Sequence, residues 1–209
     1  MTLESFPSNQ LSDTPENPIL EHGLELITRD GIRGFTVESL ARDLAMSKKT
    51  VYKYFPTKEI LLNQIFKYIT RIIEGKFQDI HNMDINPLDK FEAAIAEIIK
   101  MINRVSVHKI GELKARYPLI WKDIEKFRLA RRDDFLTIFK QARVEGYVRS
   151  EIDLELTATI YMRIMNEVFQ PEFFMAQDIS VKETMLTFRG IFLRGICTEK
   201  GLLHLKDKL

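Results

Sequence analysis

Residues 36–55 read TVESLARDLAMSKKTVYKYF, and this stretch decides how the chain is interpreted. In its first part Val37, Leu40, Ala41 and Leu44 recur at helical spacing. Its second part, SKKTVYKYF, concentrates lysines, hydroxyls and aromatic rings in about two and a half helical turns. Two short helices joined by a brief turn, the second opening with exposed polar residues, are typical of a helix-turn-helix. The stretch therefore predicts a unit whose second helix can enter the major groove of DNA.

The distribution of charge supports this interpretation, although the total charge does not. The chain of 209 residues has a formal net charge of only +1. Between Arg33 and Lys58, however, six cations accompany two anions, so this segment carries +4 and the remaining chain −3. A local basic patch is the electrostatic feature that a DNA-binding surface needs. The alternative is a lysine-rich helix face that is merely solvated.

Composition narrows the class of protein. Hydrophobic residues make up 45% of the chain and charged residues 29%, as in ordinary globular proteins. A single cysteine, Cys197, excludes an internal disulfide and fits a reducing compartment. The first residues lack the features of a signal peptide, and no apolar run approaches the ~18 residues of a membrane span. We therefore expect a cytoplasmic protein with no membrane partner.

Helix start and stop signals continue along the whole chain. Residues 1–16 are rich in Ser, Thr, Pro and Asn and predict a flexible arm. One long helix is expected from Leu119 to a stop at Gly146, and no segment alternates as a strand does. The predicted fold is all-α with about nine helices. The predicted caps are Asn17 followed by Pro18, Thr36, Ser47, Thr57, Asn86 followed by Pro87, and a capping box of Ser180 with Glu183, and Gly31 and Pro56 are predicted stops.

The order of residues in GFTVESLARDLAMSKKTVYKYFPTKEILL, residues 34–62, resembles the DNA-binding segment of the TetR family of bacterial transcriptional regulators. The family's threonine, turn serine, Tyr-x-Tyr-Phe and Lys-Glu pair are all in register, but the resemblance weakens after about Ile73. Ala45 departs from the pattern because the family often has glycine in the turn. Lys49 also departs, since a small residue is frequent there.

The resemblance implies a set of DNA contacts. Thr36 would hold a phosphate with its hydroxyl and the helix N-terminus, and Lys58 would bind a second phosphate. Tyr54 has an alternative role in packing the small domain. The implied contacts are Thr36, Ser47, Lys48, Lys49, Thr50, Tyr52, Lys53, Tyr54 and Lys58.

The resemblance also implies that residues 17–66 form the helix-turn-helix domain and residues 67–209 a larger helical domain for ligand binding and dimerisation. The apolar faces of the last two long helices would form a homodimer interface, or else pack on the protein's own core. The interface candidates are Ile160, Ile164, Val168, Met185, Phe188, Ile191 and Phe192.

A cavity among the helices after Leu88 would take an apolar or amphipathic inducer. Most of the candidate side chains have an alternative role as ordinary core. The candidates are Arg104, His108, Tyr117, Trp121, Phe127, Tyr161, Met162, Met165 and Asn166.

The function predicted from these features is that of a homodimeric repressor that binds a palindromic operator and is released by a small ligand. The alternatives are a ligand-binding or protein-interaction bundle with a vestigial helix-turn-helix, and a regulator without an inducer or one that activates. Enzyme activity is not expected, because the chain has no Gly-rich phosphate loop and no Glu-x-x-His motif. His108 and Glu112 lie one helical turn apart, but surface ion pairing explains such a pair better than a metal does. We expect neither cofactor nor metal.

Overall fold

The computed structural model describes residues 16–177 and 179–206, and within these ranges the chain is all-α, as predicted. Most of the predicted flexible arm lies outside the described residues. In the described ranges no helix is both long and apolar enough to cross a bilayer. The twelve helices of the described ranges are α1 (Asn17–Gly34), α2 (Val37–Asp43), α3 (Lys48–Tyr54), α4 (Lys58–Asn82), α5 (Pro87–Ile102), α6 (Val107–Arg116), α7 (Pro118–Ala130), α8 (Arg132–Val144), α9 (Leu154–Val168), α10 (Pro171–Gln177), α11 (Val181–Ile196) and α12 (Glu199–His204).

The buried residues form two hydrophobic cores. The N-terminal core joins α1, α2, α3 and the first part of α4, and it also takes up Leu113, Ile120 and Trp121 from α6 and α7. It reaches Tyr68, so the predicted domain boundary after Phe66 falls inside both this core and α4. The small unit is therefore packed directly against helices of the larger one.

The C-terminal core is an aromatic cluster enclosed by α4, α5, α8, α9 and α11. Tyr161 is its centre, with ring centroids 4.5 Å from Phe192 and 5.3 Å from Phe135. Burial raises the pKa of the Tyr161 hydroxyl far above its ordinary value. Such ring pairs add about 0.5–1.5 kcal/mol each beyond the area they bury, so this cluster gives the larger unit a rigid interior.

Helix α4 belongs to both cores. Its first turns bury Leu61, Leu62 and Ile65 in the N-terminal core, and its last turns bury Phe77 and Ile80 in the C-terminal core. With 25 residues it spans about 37 Å. Helix α4 is therefore a single element shared by the two units.

Most predicted caps are confirmed. Thr36, Ser47 and Thr57 each accept a hydrogen bond from a backbone N–H three residues on, and Asn86 accepts one from Leu88. The capping box is seen in its first half, in which the Ser180 hydroxyl accepts from the N–H of Glu183.

The start of α1 differs from the prediction. Asn17 is the first helical residue rather than the cap, and Glu16 precedes it without a side-chain cap. The predicted stop at Gly31 is a kink with φ 75°, after which one further turn runs to Gly34. Glycine adopts this left-handed conformation without the clash that a side chain would meet.

The long helix predicted from Leu119 to Gly146 was wrong, because two helices meet at Arg131. The residue at the junction is an arginine, so neither proline nor glycine causes the break. Arg131 has φ −64° and ψ −7°. Its guanidinium pairs with Glu74 on α4 at 3.5 Å and lies 4.6 Å from the Phe127 ring. Contacts with another helix accompany this break, and for that reason local sequence signals did not reveal it. Together with the short α10 and α12, it raises the number of helices from the predicted nine to twelve in the described ranges.

Candidate functional site

Helices α2 and α3 form the expected helix-turn-helix. Leu40 of α2 and Val51 of α3 are both completely buried in the N-terminal core. The turn between the helices is closed by the Met46 N–H, which donates to the Ala41 carbonyl at 2.8 Å. Ala45 in this turn has φ 53°, the left-handed conformation for which glycine is favoured. One face of α3 is thus held in the core and the other is left for contact.

The predicted hydroxyl contacts lie at the N-termini of α2 and α3. Thr36 Oγ1 accepts from the Ser39 N–H at 3.0 Å, and Ser47 Oγ accepts from the Thr50 N–H at 3.0 Å. The Ser47 and Thr50 hydroxyl oxygens are 2.8 Å apart. These caps satisfy one N–H at each helix start and leave others for an anion. The two helix starts are suited to holding DNA phosphates.

Three lysines and a tyrosine project from the exposed face of α3. Lys49, Tyr52 and Lys53 are exposed, as is Lys48, whose Nζ donates to Glu38 on α2 at 2.9 Å. This hydrogen bond lowers the pKa of the Glu38 carboxyl and raises that of the Lys48 ammonium. The local positive charge is therefore concentrated on Lys49 and Lys53. We call the residues Lys48, Lys49, Tyr52 and Lys53 the α3 face.

The last two predicted DNA contacts point elsewhere. Tyr54 packs against the N-terminal core. Lys58 donates from Nζ to the Phe35 carbonyl at 2.5 Å and lies 5.4 Å from the Phe35 ring centroid. Desolvation lowers the pKa of its half-buried ammonium. This geometry makes Lys58 a link between the start of α4 and the segment after α1, and it does not favour the predicted phosphate contact.

A cavity of about 270 Å³ lies between the two cores. Side chains from α1 and from α4 through α11 line it, and most of them are aliphatic or aromatic. Six of the nine predicted pocket residues line it, and these are Trp121, Phe127, Tyr161, Met162, Met165 and Asn166.

The other three predicted pocket residues do not line the cavity. His108 is exposed on the first turn of α6, and Arg104 lies in the turn between α5 and α6. Tyr117 packs against the N-terminal core at the junction of α6 and α7. Polarity suggested Arg104 and His108 as anchors, but Arg104 lies outside a helix and the rotation of α6 that turns His108 away depends on how α6 packs against α1.

Sequence reasoning missed two parts of the cavity wall. Leu24, Ile27 and Ile32 of α1 line it, although the cavity was expected only among helices after Leu88. Arg128 lines it as well. A signal for Arg128 was present, because it follows Ile124 by four residues and so falls on the apolar stripe of α7.

Helix α6 is joined to α1 beside this cavity. Lys109 Nζ donates to the Arg29 carbonyl at 2.6 Å and to the Thr28 carbonyl at 3.1 Å. Both carbonyls belong to the last turn before the Gly31 kink, where helical carbonyls lack intrahelical partners and attract cations. A cavity-lining residue of the larger unit therefore holds the end of the first helix of the smaller one.

Some residues of the predicted dimer interface are exposed, and others are buried in the core of their own chain. On α9, Ile160 and Ile164 are exposed with Leu156, each four residues from the next, and Ile191 is exposed on α11. Val168 is partly buried at the end of α9. The prediction is wrong for Met185, which is only 2% exposed inside the C-terminal core of its own chain. Phe188 and Phe192 also serve that core, since they are partly buried and stack around Tyr161.

The described residues contain no group of three or more His, Cys, Asp or Glu side chains placed to hold a metal ion. In the described structure no ion pair joins His108 to Glu112, so the pairing expected between them is not seen.

Comparison with known proteins agrees with the geometry. Residues 19–65 match the family of bacterial regulatory proteins described as the tetR family. The chain is similar to the HTH-type transcriptional regulator YvaF of Bacillus subtilis (strain 168), with 22% identity over 183 residues that cover 87% of this chain and 95% of that protein. It is also similar to the HTH-type transcriptional repressor KstR2 of Mycobacterium tuberculosis, with 20% identity over 142 residues, 66% of this chain and 71% of that protein.

Solved structures extend the likeness of fold over most of the chain. A transcriptional regulator from Cytophaga hutchinsonii matches with a TM-score of 0.72 at 17% identity, covering 87% of this chain and 98% of that one. The KstR2 structure matches with a TM-score of 0.53 at 18% identity, covering 90% and 98%.

Proposed function

We propose that this chain, which belongs to the TetR family of bacterial transcriptional regulators through its N-terminal unit, is a repressor that binds a palindromic operator as a homodimer and is released by a small ligand. The observation that carries the proposal is the α3 face, where Lys49, Tyr52 and Lys53 are exposed on a helix whose Val51 is completely buried. A helix held in this way can enter a major groove without losing its packing. A vestigial unit would have no reason to keep its lysines outward.

The proposed contacts divide by chemistry. The helix starts at Thr36 and Ser47 hold backbone phosphates, which position the unit on the duplex. The α3 face meets base edges and neighbouring phosphates, because it lies on the side of α3 opposite the core. Lys58 is left out of this set, since its ammonium is engaged by the Phe35 carbonyl.

A second copy of the chain recognises the second half-site of the proposed operator. One recognition helix contacts too few base pairs to select a site in a genome. A two-fold dimer sets two such helices about 34–36 Å apart along one face of the DNA. The exposed stripe of Leu156, Ile160 and Ile164 with Ile191 is an apolar surface suited to a partner copy. The repressor KstR2 is similar to this chain over two thirds of its length, which favours repression over activation.

The proposed switch works through two connections. A ligand in the cavity contacts residues of α1 directly and residues of α4 and α6 as well. Helix α4 carries a displacement to the small unit, and Lys109 carries one from α6 to the end of α1. A coupling free energy of about 1–3 kcal/mol is enough to shift operator occupancy. The proposal places the protein in the cytoplasm with the chromosome and assigns it no catalytic role.

The experiment starts with selection of bound duplexes from a random DNA pool by the purified protein. We expect a palindromic consensus. Lys49→Ala and Lys53→Ala should then weaken binding with the fold intact, because exposed substitutions change stability by about 0.5 kcal/mol or less. Each lost phosphate contact should also reduce the log–log salt slope by about one.

Lys67→Ala is the control, since Lys67 is exposed on α4 away from the α3 face. It should leave the operator affinity unchanged. Equal DNA affinity of the wild type, Lys49→Ala and Lys53→Ala at several salt concentrations would contradict the proposed surface.

A further inference from the structure

Arg128 brings an unneutralised cation to the wall of the cavity. Its Nη1 donates to the Phe169 carbonyl at 3.2 Å, and its guanidinium lies 5.1 Å from the Trp121 ring centroid. Its Nε and Nη2 atoms are buried and have no hydrogen-bond partner among the described residues. Desolvation lowers the pKa of this guanidinium, and the carboxylates of Glu125 and Glu167 oppose that effect only through space.

The two unpartnered nitrogens lie on the same edge of the guanidinium. The N–H groups of Nε and Nη2 are parallel, and this edge binds a carboxylate through two hydrogen bonds at once. Glu125 does not fill that place, since neither nitrogen has a hydrogen-bond partner, and Glu125 Oε1 instead accepts from Gln170 Nε2 at 2.7 Å. A buried donor without an acceptor is costly. A carboxylate inside the cavity would satisfy both nitrogens.

Three more unpartnered polar atoms belong to residues that line the same cavity. The Trp121 Nε1 donor and the Asn166 Oδ1 atom are buried without hydrogen-bond partners in the described structure. Trp121 lies under Arg128, so its N–H adds a third donor from α7. The third unpartnered atom is Nε of the neighbouring Arg131, whose Nη2 and Nη1 pair with Glu74 and Asp134, so that its charge, unlike that of Arg128, is matched by carboxylates.

The rest of the wall suits an apolar body. Phe66 and Ile69 of α4, Ile98 and Met101 of α5, and Met162 and Met165 of α9 contribute aliphatic, aromatic and thioether surface. Its volume of about 270 Å³ lies just below the range for ligand pockets, ~300–1,000 Å³. The space therefore suits a compact or medium-chain ligand.

We infer that the cavity recognises an amphipathic carboxylate, whose anionic head binds the Nε and Nη2 edge of Arg128 and whose apolar body lies among the side chains of α4, α5 and α9. This inference rests on the proposed function for its consequence on DNA, but the binding itself does not depend on DNA. It names the chemical class of the preferred ligand as an organic acid, which should bind more tightly than a neutral or cationic amphiphile of the same size.

The test compares acids with alcohols of equal length. Hexanoate, decanoate and 4-phenylbutyrate are titrated beside 1-hexanol, 1-decanol and 4-phenyl-1-butanol, below any micelle concentration. Trp121 is the single tryptophan of the chain and lines the cavity, so its fluorescence reports binding directly. At least one acid should bind about 10- to 100-fold more tightly than its alcohol, as expected for a charge-assisted bidentate contact.

Arg128→Met removes the cation but keeps an apolar stem of similar length. This variant should lose the preference for the acid and keep the affinity for the alcohol. Lys126→Met on the exposed side of the same helix is the matched control and should keep the preference. If Arg128→Met does not fold, the comparison of acid and alcohol in the wild type decides.

Acids that bind no better than their alcohols, or no binding of any acid at 1 mM, would overturn the inference. Acid binding that depends on Arg128 but leaves operator affinity unchanged would support the inference and contradict the proposed switch. A neutral compound that binds more tightly than every acid and releases the operator would contradict the inference and support the proposed switch.

Discussion

The backbone of Ala45 is strained in the turn between α2 and α3. Its φ of 53° lies in the left-handed region, where a Cβ approaches the following carbonyl oxygen. This conformation costs an L-residue about 1–2 kcal/mol, whereas glycine adopts it freely. Glycine loses about 0.5–1 kcal/mol through the greater freedom of the unfolded chain. The strain removed from the folded state is therefore larger than the entropy cost of glycine, and glycine is the more stable residue at this position.

Ala45→Gly should therefore raise the free energy of unfolding by about 0.5–1 kcal/mol. Urea denaturation followed by circular dichroism measures the change. Ala96→Gly, at an exposed position inside α5, is the control and should lower it by about 1 kcal/mol. A loss of stability in Ala45→Gly would show that the turn is not strained as the torsion angle indicates.

Cys197 is another residue whose surroundings lead to a measurable effect. Its side chain is almost completely buried, and burial raises the pKa of the thiol from 9.0 to about 11. The folded thiol keeps a proton that the unfolded chain releases above pH 9. Stability from this group is thus complete below pH 9 and is lost as the pH rises to about 11.

We expect the free energy of unfolding to fall more steeply between pH 9 and 11 in the wild type than in Cys197→Ala. The difference between the two proteins isolates the thiol from tyrosines and lysines that titrate in the same range. Parallel curves would contradict the raised pKa.

At the scale of the element, α6 is one of the helices that connect the cavity to the DNA-binding unit. It contributes Lys109, Ile110 and Leu113 to the cavity wall. Lys109 also holds the Thr28 and Arg29 carbonyls of α1. Under the proposed switch, a ligand that shifts α6 would move the end of α1 through this hydrogen-bonded contact as well as through packing.

Lys109→Met should lower the free energy of unfolding by about 1 kcal/mol, because two carbonyls lose a charged donor at a partly exposed site. It should also reduce, by several-fold, the factor by which a cavity ligand weakens operator binding. Operator affinity measured with and without ligand gives this factor. Lys122→Met, exposed on α7, is the control, and an unchanged factor in Lys109→Met would limit Lys109 to a structural role.

At the scale of the whole molecule, the exposed aliphatic side chains of α9 and α11 determine the proposed assembly. Ile160 is 48% exposed and Ile191 is 64% exposed in the single chain. A stable dimer buries about 1,200–2,000 Å² in total, and aliphatic side chains at its centre tolerate no unpaired charge. Phe188 is a poor place for such a charge, since it stacks on Tyr161 with ring centroids 5.4 Å apart.

Ile160→Asp and Ile191→Asp should each convert the dimer to a monomer with unchanged helix content. Sedimentation at micromolar concentration measures the assembly, and binding to the palindrome should weaken strongly because each half-site binds alone. Val144→Asp is the control, since Val144 is 87% exposed at the end of α8. A wild-type monomer that binds an asymmetric site tightly would exclude the proposed assembly.

The sequence by itself determined the features that depend on neighbours within one or two helical turns. The caps at Thr36, Ser47 and Thr57 were predicted because a hydroxyl reaches a backbone N–H three residues on. The all-α class and the helix-turn-helix followed from helical periodicity and residue order. The exposed lysines of α3 were also predicted, because the burial of Val51 turns them outward.

Only the tertiary structure decided which charged groups face inward. Lys58 contacts a backbone carbonyl 23 residues away in the sequence. Arg128 contacts a carbonyl 41 residues away, and Lys109 contacts a carbonyl 81 residues away. No local pattern encodes such pairs, because they depend on how whole helices pack and rotate against each other. The same packing brings α1 to the cavity wall and buries Met185 in its own chain. Local hydrogen bonds thus shaped the helices, and long-range packing assigned the cations at the cavity and at the joint between the two units.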